Sequence, residues 1–257
     1  MTDPPPGRTP DPHATWTAMT TTRPDARVRL YCFPFMGSPA AFHTPLARAL
    51  PGFVETCSLQ SPGPGSRAGE PPADAVTAVA SELAGVIGAR TEAQGVPAAF
   101  FGHCSGALLA FETARALVRQ GRPGPVLLAV SAAFPPRLWA HRMSGMRTMS
   151  GTALLTLLTE LAGHRPLHTA SVMALAKQEA LAYLSFEWRE EAPLDCPLAV
   201  FGGLADPVVP PAHLDGWDGH TTGRTTTRLY PGRHFYLLDH WARVARDLGG
   251  ELAAALP

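Results

Sequence analysis

Short apolar runs typical of buried strands alternate with helix-like segments along most of this 257-residue chain. The strand-like runs begin near residues 28, 53, 97, 125, 197 and 225, and a helical pattern follows most of them. Strands separated by single helices form right-handed crossovers, which produce a mostly parallel sheet covered on both faces. The chain is therefore predicted to form one α/β domain.

The N-terminus and one long interruption depart from this alternation. Residues 1 to about 25 are rich in Pro, Thr, Asp and Arg without periodicity, so a flexible tail is expected to precede a domain spanning 26–257. Residues 137 to about 190 are rich in Met, Thr and Leu and contain no strand pattern. We expect this second segment to be a helical lid inserted in the domain.

Composition and motif content exclude several classes of function. Lys plus Arg and Asp plus Glu both number 21, so no overall field draws the chain to nucleic acid or anionic lipid. The sequence contains neither a membrane-spanning apolar stretch nor a signal-peptide pattern, so a cytoplasmic protein with reduced thiols is expected. Because no nucleotide-binding glycine motif and no CxxC or HExxH motif occurs, no metal, nucleotide or flavin cofactor is expected.

The strongest local signal for chemistry is Gly102-His103-Cys104-Ser105-Gly106, which lies between an apolar run and a helical segment. This placement is typical of a nucleophile elbow, a tight strand-to-helix turn that exposes its central side chain. The residues two positions before and after the nucleophile must be very small, so that strand and helix can approach. Position 104 has glycine on both sides, so Cys104 rather than Ser105 is the predicted nucleophile.

A cysteine at this elbow would lie at a helix N-terminus, whose partial positive charge favours the thiolate. An ordinary buried cysteine remains the alternative interpretation of the motif. The other cysteines, Cys32, Cys57 and Cys196, occur in or beside strand-like runs and are expected to be buried without a catalytic role.

Two further residues have the chain order expected of an α/β-hydrolase triad. His234 follows the last predicted strand and precedes the last helix, which is the position of the base. Asp206 follows the strand PLAVFGG, where an acid is expected. Each alone is interpreted more simply as a loop histidine or a turn aspartate, but with Cys104 they form a candidate Cys-His-Asp triad. The sequence thus favours an α/β-hydrolase fold.

The oxyanion hole of such an elbow combines the N–H that follows the nucleophile with one from the loop after the first strand of the domain. The first donor is the N–H of Ser105. The loop is Phe33-Pro34-Phe35-Met36-Gly37, and we assign the second donor to Met36. Gly37 would permit the close approach of substrate.

These motifs together resemble the type II thioesterases that work beside nonribosomal peptide synthetases and polyketide synthases. The resemblance extends from about residue 28 to the C-terminus and includes RLYCFPFMGSPAAF, FFGHCSGALLAFETARAL, SAAFPP, CPLAVFGGLADPVV, the later Trp217 and PGRHFYLLDH. It implies Cys104 as nucleophile, Asp206 as acid and His234 as base. It also implies that an acyl or peptidyl carrier protein is the partner, and that the lid receives a phosphopantetheine arm with its acyl group.

The chain departs from the family pattern at two positions. The family usually has serine in a GHSxG elbow, where this chain has Cys104, and paired glycines after the oxyanion loop, where Gly37 is followed by Ser38-Pro39. Cysteine would hold the acyl group as a thioester, nearly equal in energy to its donor and open to attack by a thiol or amine. Some α/β-hydrolase-like enzymes of the same pathways use cysteine to shuttle aminoacyl groups between carrier proteins.

The expected activity is therefore hydrolysis of carrier-bound thioesters, with acyl transfer to another carrier thiol or to an amine as the rival. A general esterase is also compatible with the fold. A carrier-binding module without catalysis ranks last, because Asp206 and His234 are retained where a triad needs them. A monomer is favoured, and the acyl group is not indicated.

Overall fold

A seven-stranded sheet runs through the computed structural model, which describes residues 11–61, 75–143, 179–180 and 182–256. The strands are β1 Thr17–Thr20, β2 Val28–Phe33, β3 Val54–Leu59, β4 Ala98–His103, β5 Leu128–Ser131, β6 Leu198–Gly203 and β7 Thr225–Tyr230. Their order in the sheet is β1-β3-β2-β4-β5-β6-β7, and every pair is parallel except β1 with β3.

Helices cover both faces of this sheet. Residues that alternate along a strand point to opposite faces, so Tyr31 of β2 packs in one hydrophobic cluster and Leu30 in the other. The α-helices are α1 Pro12–Trp16, α2 Thr44–Ala49, α3 Val76–Gln94, α4 Ser105–Arg119, α5 Pro136–Met143 and α6 Leu237–Ala255, with 3₁₀ helices at Ala40–His43 and Pro211–His220. The cluster with Tyr31 includes residues of α3 and α4, and the cluster with Leu30 includes residues of α2 and α6.

The predicted α/β-hydrolase fold with a mostly parallel sheet is confirmed. Along the chain, the first and last of the parallel strands, β2 and β7, have the predicted bounds, 28–33 and 225–230. The predicted helix over 40–50 is instead a 3₁₀ turn followed by a short α-helix that has a proline in its first turn. That proline lacks the N–H of a regular helix interior, so the α-helix begins there.

The expectation of a flexible tail up to residue 25 is wrong for residues 12–20. Helix α1 packs on the domain through Trp16, which is 2% exposed and donates its indole N–H to Glu82 Oε1 at 2.8 Å. Strand β1 then pairs antiparallel with β3. The composition of this segment is that of a disordered chain, but the partners that order it lie far away in sequence. Residues 1–10 lie outside the described part of the chain.

The predicted lid is described only at its ends. Helix α5 begins it, and residues 179–180 and 182–184 are helical near its end, before the chain enters β6. Residues 144–178, which make up most of the lid prediction, lie outside the described residues. Within the part of the chain that the structure describes, no helix has the length and apolar character needed to cross a membrane.

Candidate active site

The four loops that carry the predicted site residues all follow the carboxyl ends of parallel strands. Met36 follows β2, Cys104 directly follows β4, Asp206 follows β6 and His234 follows β7. Because these strands run parallel in one sheet, their carboxyl ends open on the same edge. The topology therefore gathers residues that are up to about two hundred positions apart in sequence.

Cys104 occupies a strained turn between β4 and α4. Its backbone has φ 52° and ψ −124°, a region that non-glycine residues rarely adopt. The turn is held by the Cys104 N–H, which donates to Ser131 O at 2.8 Å. A Cβ at Gly102 would collide with the backbone of Gly106, and a Cβ at Gly106 would lie 2.6 Å from Phe33 O. The structure thus has the strained, glycine-flanked geometry of a nucleophile elbow.

A Gly106→Ala substitution is expected to destabilise the fold by about 1–3 kcal/mol, because the backbone atoms it would meet cannot turn aside. Urea unfolding followed by circular dichroism measures this change. The matched control is Gly250→Ala in α6, where a new Cβ would meet nothing within 4 Å and should stabilise the helix by up to about 1 kcal/mol. Equal unfolding free energies for wild type and Gly106→Ala would contradict this account of the elbow.

Cys104 is the accessible thiol among the four cysteines, all of which are described. It is partly exposed, whereas the others are buried. Burial raises the pKa of Cys57 to about 11, that of Cys196 to about 12 and that of Cys32 further still, so these thiols stay protonated. Cys104 precedes the first turn of α4, whose positive end stabilises a thiolate. The buried positions predicted for the other three cysteines are confirmed.

Asp206 and His234 form a buried, directed pair. His234 Nδ1 lies 2.8 Å from Asp206 Oδ2, and the two side chains are 1% and 0% exposed. The other carboxylate oxygen, Oδ1, accepts the N–H groups of Val208 and Val209 at 2.9 and 3.1 Å. These contacts fix the orientation of the carboxylate, which in turn holds the imidazole.

Electrostatics make the imidazole of His234 more basic than that of an ordinary histidine. Burial lowers its pKa, but the neighbouring Cys104 and the hydrogen-bonded Asp206 outweigh burial and raise the pKa to about 10. Its Nε2 atom is buried and makes no hydrogen bond of ordinary geometry to the described residues. The second nitrogen is therefore available for proton exchange with the Cys104 thiol, since such contacts often tighten only when substrate binds. The structure brings the three predicted triad residues into one site.

Met36 lies in a tight turn beside the first residue of α4. The turn is closed by the Ser38 N–H donating to Phe35 O at 2.8 Å, and Gly37 takes φ 75°, as the third residue of a type II turn requires. The Met36 N–H donates to Ser105 Oγ at 2.9 Å. The predicted second donor thus lies beside the residue that carries the first, and the Met36 N–H is satisfied by the Ser105 hydroxyl.

Sequence reasoning missed a polar chain that packs behind the imidazole. His103 Nδ1 lies 2.9 Å from Ser131 Oγ, which lies 2.8 Å from Tyr236 Oη. The ring of His103 is 5.2 Å from that of His234. Burial is the main cause that lowers the pKa of His103 well below its usual range, and the nearby His234 lowers it further. His103 therefore stays neutral. The histidine of the elbow motif was the available signal, but its spacing alone does not reveal these partners.

A second missed residue is Glu179, near the end of the predicted lid. Its Oε2 accepts the Gly37 N–H at 2.7 Å, so it contacts the same turn that carries Met36. Glu179 is one of several glutamates in the predicted lid, and no sequence signal distinguishes it from the others.

Comparison with known proteins points to one family. The sequence pattern of the thioesterase domain family matches residues 28–252. The chain is 33% identical over 237 residues to the thioesterase PikA5 of Streptomyces venezuelae, covering 89% of this chain and 82% of that one. It is 27% identical over 243 residues to the gramicidin S biosynthesis protein GrsT of Aneurinibacillus migulanus, covering 87% and 88%.

Solved structures give the same result. A thioesterase from the prodiginine biosynthetic pathway of Streptomyces coelicolor, RedJ, superposes with a TM-score of 0.78 at 32% identity, covering 90% of this chain and 92% of that one. The type II thioesterase BorB from the borrelidin biosynthetic cluster superposes with a TM-score of 0.78 at 29% identity, covering 93% and 98%.

Proposed function

The chain belongs to the thioesterase domain family, and from this membership and its site we propose that it hydrolyses acyl thioesters borne by carrier proteins in nonribosomal peptide or polyketide biosynthesis. The observation that carries the proposal is the partly exposed Cys104 thiol in an elbow beside the Asp206–His234 pair. The substrate would be presented on a phosphopantetheine arm, so the reaction requires no bound cofactor. A cytoplasmic location, which keeps thiols reduced, remains part of the proposal.

In the first half of the proposed reaction, His234 Nε2 takes the proton of the Cys104 thiol. The thiolate attacks the carbonyl carbon of the thioester, and the resulting oxyanion is held by the N–H groups of Met36 and Ser105. The bond from the carbonyl carbon to the pantetheine sulfur then breaks. The departing thiolate takes the proton from His234, which leaves the acyl group on Cys104.

In the second half, water replaces the carrier. His234 accepts a proton as the water oxygen attacks the acyl-Cys104 carbonyl, and a second oxyanion forms in the same hole. Collapse breaks the carbon–sulfur bond, releases the carboxylic acid and returns the proton to the Cys104 sulfur. Asp206 remains ionised throughout and holds the imidazole through Nδ1.

The cysteine favours one second candidate function, which is acyl transfer. Because acyl-Cys104 is itself a thioester, it is nearly equal in energy to the carrier thioester, and a second carrier thiol or an amine could accept the acyl group. Transfer and hydrolysis share the first half of the reaction and differ only in the group that attacks acyl-Cys104. A carrier-binding module without catalysis is the least favoured candidate, since the Asp206–His234 pair is intact.

Intact-protein mass spectrometry after mixing with an acylated carrier protein separates these functions. We expect an acyl adduct on the wild-type protein that decays to free acid at the same rate with or without an acceptor carrier. An adduct that persists until an acceptor carrier is added would contradict hydrolysis and support acyl transfer. No adduct and no released acid across several acyl groups would overturn both enzymatic proposals and leave the binding module.

A further inference from the structure

The turn that carries the oxyanion donor is held from two sides. Its successive N–H groups, those of Met36 and Gly37, donate to Ser105 Oγ at 2.9 Å and Glu179 Oε2 at 2.7 Å. Ser105 belongs to the elbow, so this hydrogen bond shows that the Met36 N–H points toward the elbow. Glu179 lies on a different element, 142 positions beyond Gly37 in sequence, and the nucleophile elbow does not require it.

The surroundings of Glu179 make this contact specific. Glu179 is partly buried and lines a small cavity whose other described residues are Ser61, Val76, Val79, Leu109, Ala182 and Tyr183. Of these only Tyr183 titrates, and burial, Glu179 and Cys104 raise its pKa well above its usual range, so it is neutral. Among the described residues, the partners that stabilise the Glu179 carboxylate are the Gly37 N–H and the Ser61 hydroxyl.

The hydrogen bond from the Gly37 N–H to Glu179 affects the orientation of the neighbouring Met36 N–H. The Gly37 N–H belongs to the peptide group that joins Met36 to Gly37. Glycine allows the φ of 75° at Gly37 but does not enforce it, because glycine also adopts many other backbone conformations. An acceptor on the Gly37 N–H restricts rotation of this peptide and so limits the directions available to the Met36 N–H. Preorganised donors stabilise an oxyanion without reorganisation at the moment of reaction.

We propose that Glu179 is a positioning residue for the oxyanion turn: by accepting the Gly37 N–H, it keeps the Met36 N–H directed at the N-terminus of α4, where the thioester carbonyl oxygen would bind. The proposal rests on the proposed thioesterase function and adds to it a residue outside the triad. Glu179 acts through Gly37 and does not touch the substrate.

The strength of this contact depends on pH. Burial raises the pKa of Glu179 to about 7, although the hydrogen bonds from Gly37 and Ser61 oppose that rise. As pH rises through about 7, Glu179 ionises, and a carboxylate accepts an N–H more strongly than a carboxylic acid does. The turn is therefore held most firmly above this pH. A plot of kcat against pH should accordingly rise as the pH passes through about 7.

The kinetic test compares Glu179→Gln, which retains a neutral acceptor, with Glu179→Ala, which has none. At about pH 8, Glu179→Ala should lower kcat for carrier-thioester cleavage about tenfold with KM changed less than about twofold. Glu179→Gln should keep most of the wild-type kcat, but its kcat should no longer rise with pH near pH 7. The control Glu187→Ala removes an exposed carboxylate of the same segment and should match wild type.

Alkylation of Cys104 by iodoacetamide distinguishes positioning from general damage, because this reaction forms no oxyanion. Its rate should be unchanged in both Glu179 variants. Unchanged or increased kcat in Glu179→Ala, or equal losses of kcat and alkylation in Glu179→Gln, would overturn the proposal.

A readout independent of activity follows the Gly37 amide by nuclear magnetic resonance in glycine-labelled protein. Its proton shift should titrate near pH 7 in wild type and stay flat in Glu179→Gln. A flat wild-type titration would overturn the role of Glu179 whatever the enzyme cleaves. Titration without thioester cleavage by wild type would overturn the proposed function and, with it, a role for this contact in that reaction.

Discussion

Replacing Cys104 with alanine is expected to abolish cleavage of carrier-bound thioesters, lowering kcat at least about 10³-fold. The substitution removes the thiol that forms the acyl intermediate in the proposed reaction. Carrier binding and the fold should be unaffected, because alanine fits within the space of the cysteine. Release of free acid and the mass of the intact protein after exposure to acylated carrier measure the effect.

The matched control is Cys196→Ala, which removes a thiol from a buried position in the core. We expect this variant to keep wild-type kcat and to form the acyl adduct, with some loss of unfolding free energy from the cavity it leaves. Iodoacetamide should modify one thiol of the native wild-type protein and none of Cys104→Ala. Wild-type cleavage by Cys104→Ala would rule out Cys104 as the nucleophile.

An Asp206→Asn substitution is expected to lower kcat by about 10³- to 10⁴-fold. The carboxylate accepts the Val208 and Val209 N–H groups on one oxygen and faces His234 with the other. An asparagine that keeps the two backbone bonds must turn its NH₂ toward Nδ1, which forces the imidazole proton onto Nε2. In that tautomer His234 cannot accept the thiol proton.

The Asp206→Asn variant should also react more slowly at Cys104. Removing the carboxylate lowers the pKa of His234, since the charge and hydrogen bond of Asp206 help to raise it. The imidazole then provides less positive charge beside the sulfur, so iodoacetamide should alkylate Cys104 more slowly than in wild type at the same pH. The exposed Asp218→Asn is the control and should leave kcat and the alkylation rate unchanged. A wild-type alkylation rate for Asp206→Asn would exclude this account of the acid.

The fold and the core of the site were predictable because their signals are local. Buried strands read as apolar runs, and the elbow requires glycine at fixed distances from Cys104, so short windows of sequence contain the information. Chain order then predicted His234 and Asp206 as site residues, since parallel strands bring their carboxyl ends to one edge. These inferences needed no knowledge of which side chains touch.

Other parts of the site depend on contacts between distant segments. Glu179 is one acidic residue in a Leu-rich stretch, and its role follows only from the 2.7 Å contact with Gly37. Likewise, the sequence predicted Met36 as a donor but not that Ser105 would accept its N–H. Composition misled at the N-terminus, where proline-rich sequence predicts disorder but Trp16 enters the core.

The antiparallel strand β1 changes where the folding unit of this protein begins. The family match starts at residue 28, but a chain cut there would lose α1 and β1 and uncover the outer edge of β3, all six residues of which are buried. An uncovered edge strand presents unpaired backbone groups that can pair with another copy. Domain boundaries taken from the family alignment would therefore yield a protein prone to aggregation, whereas a boundary before residue 12 preserves the edge.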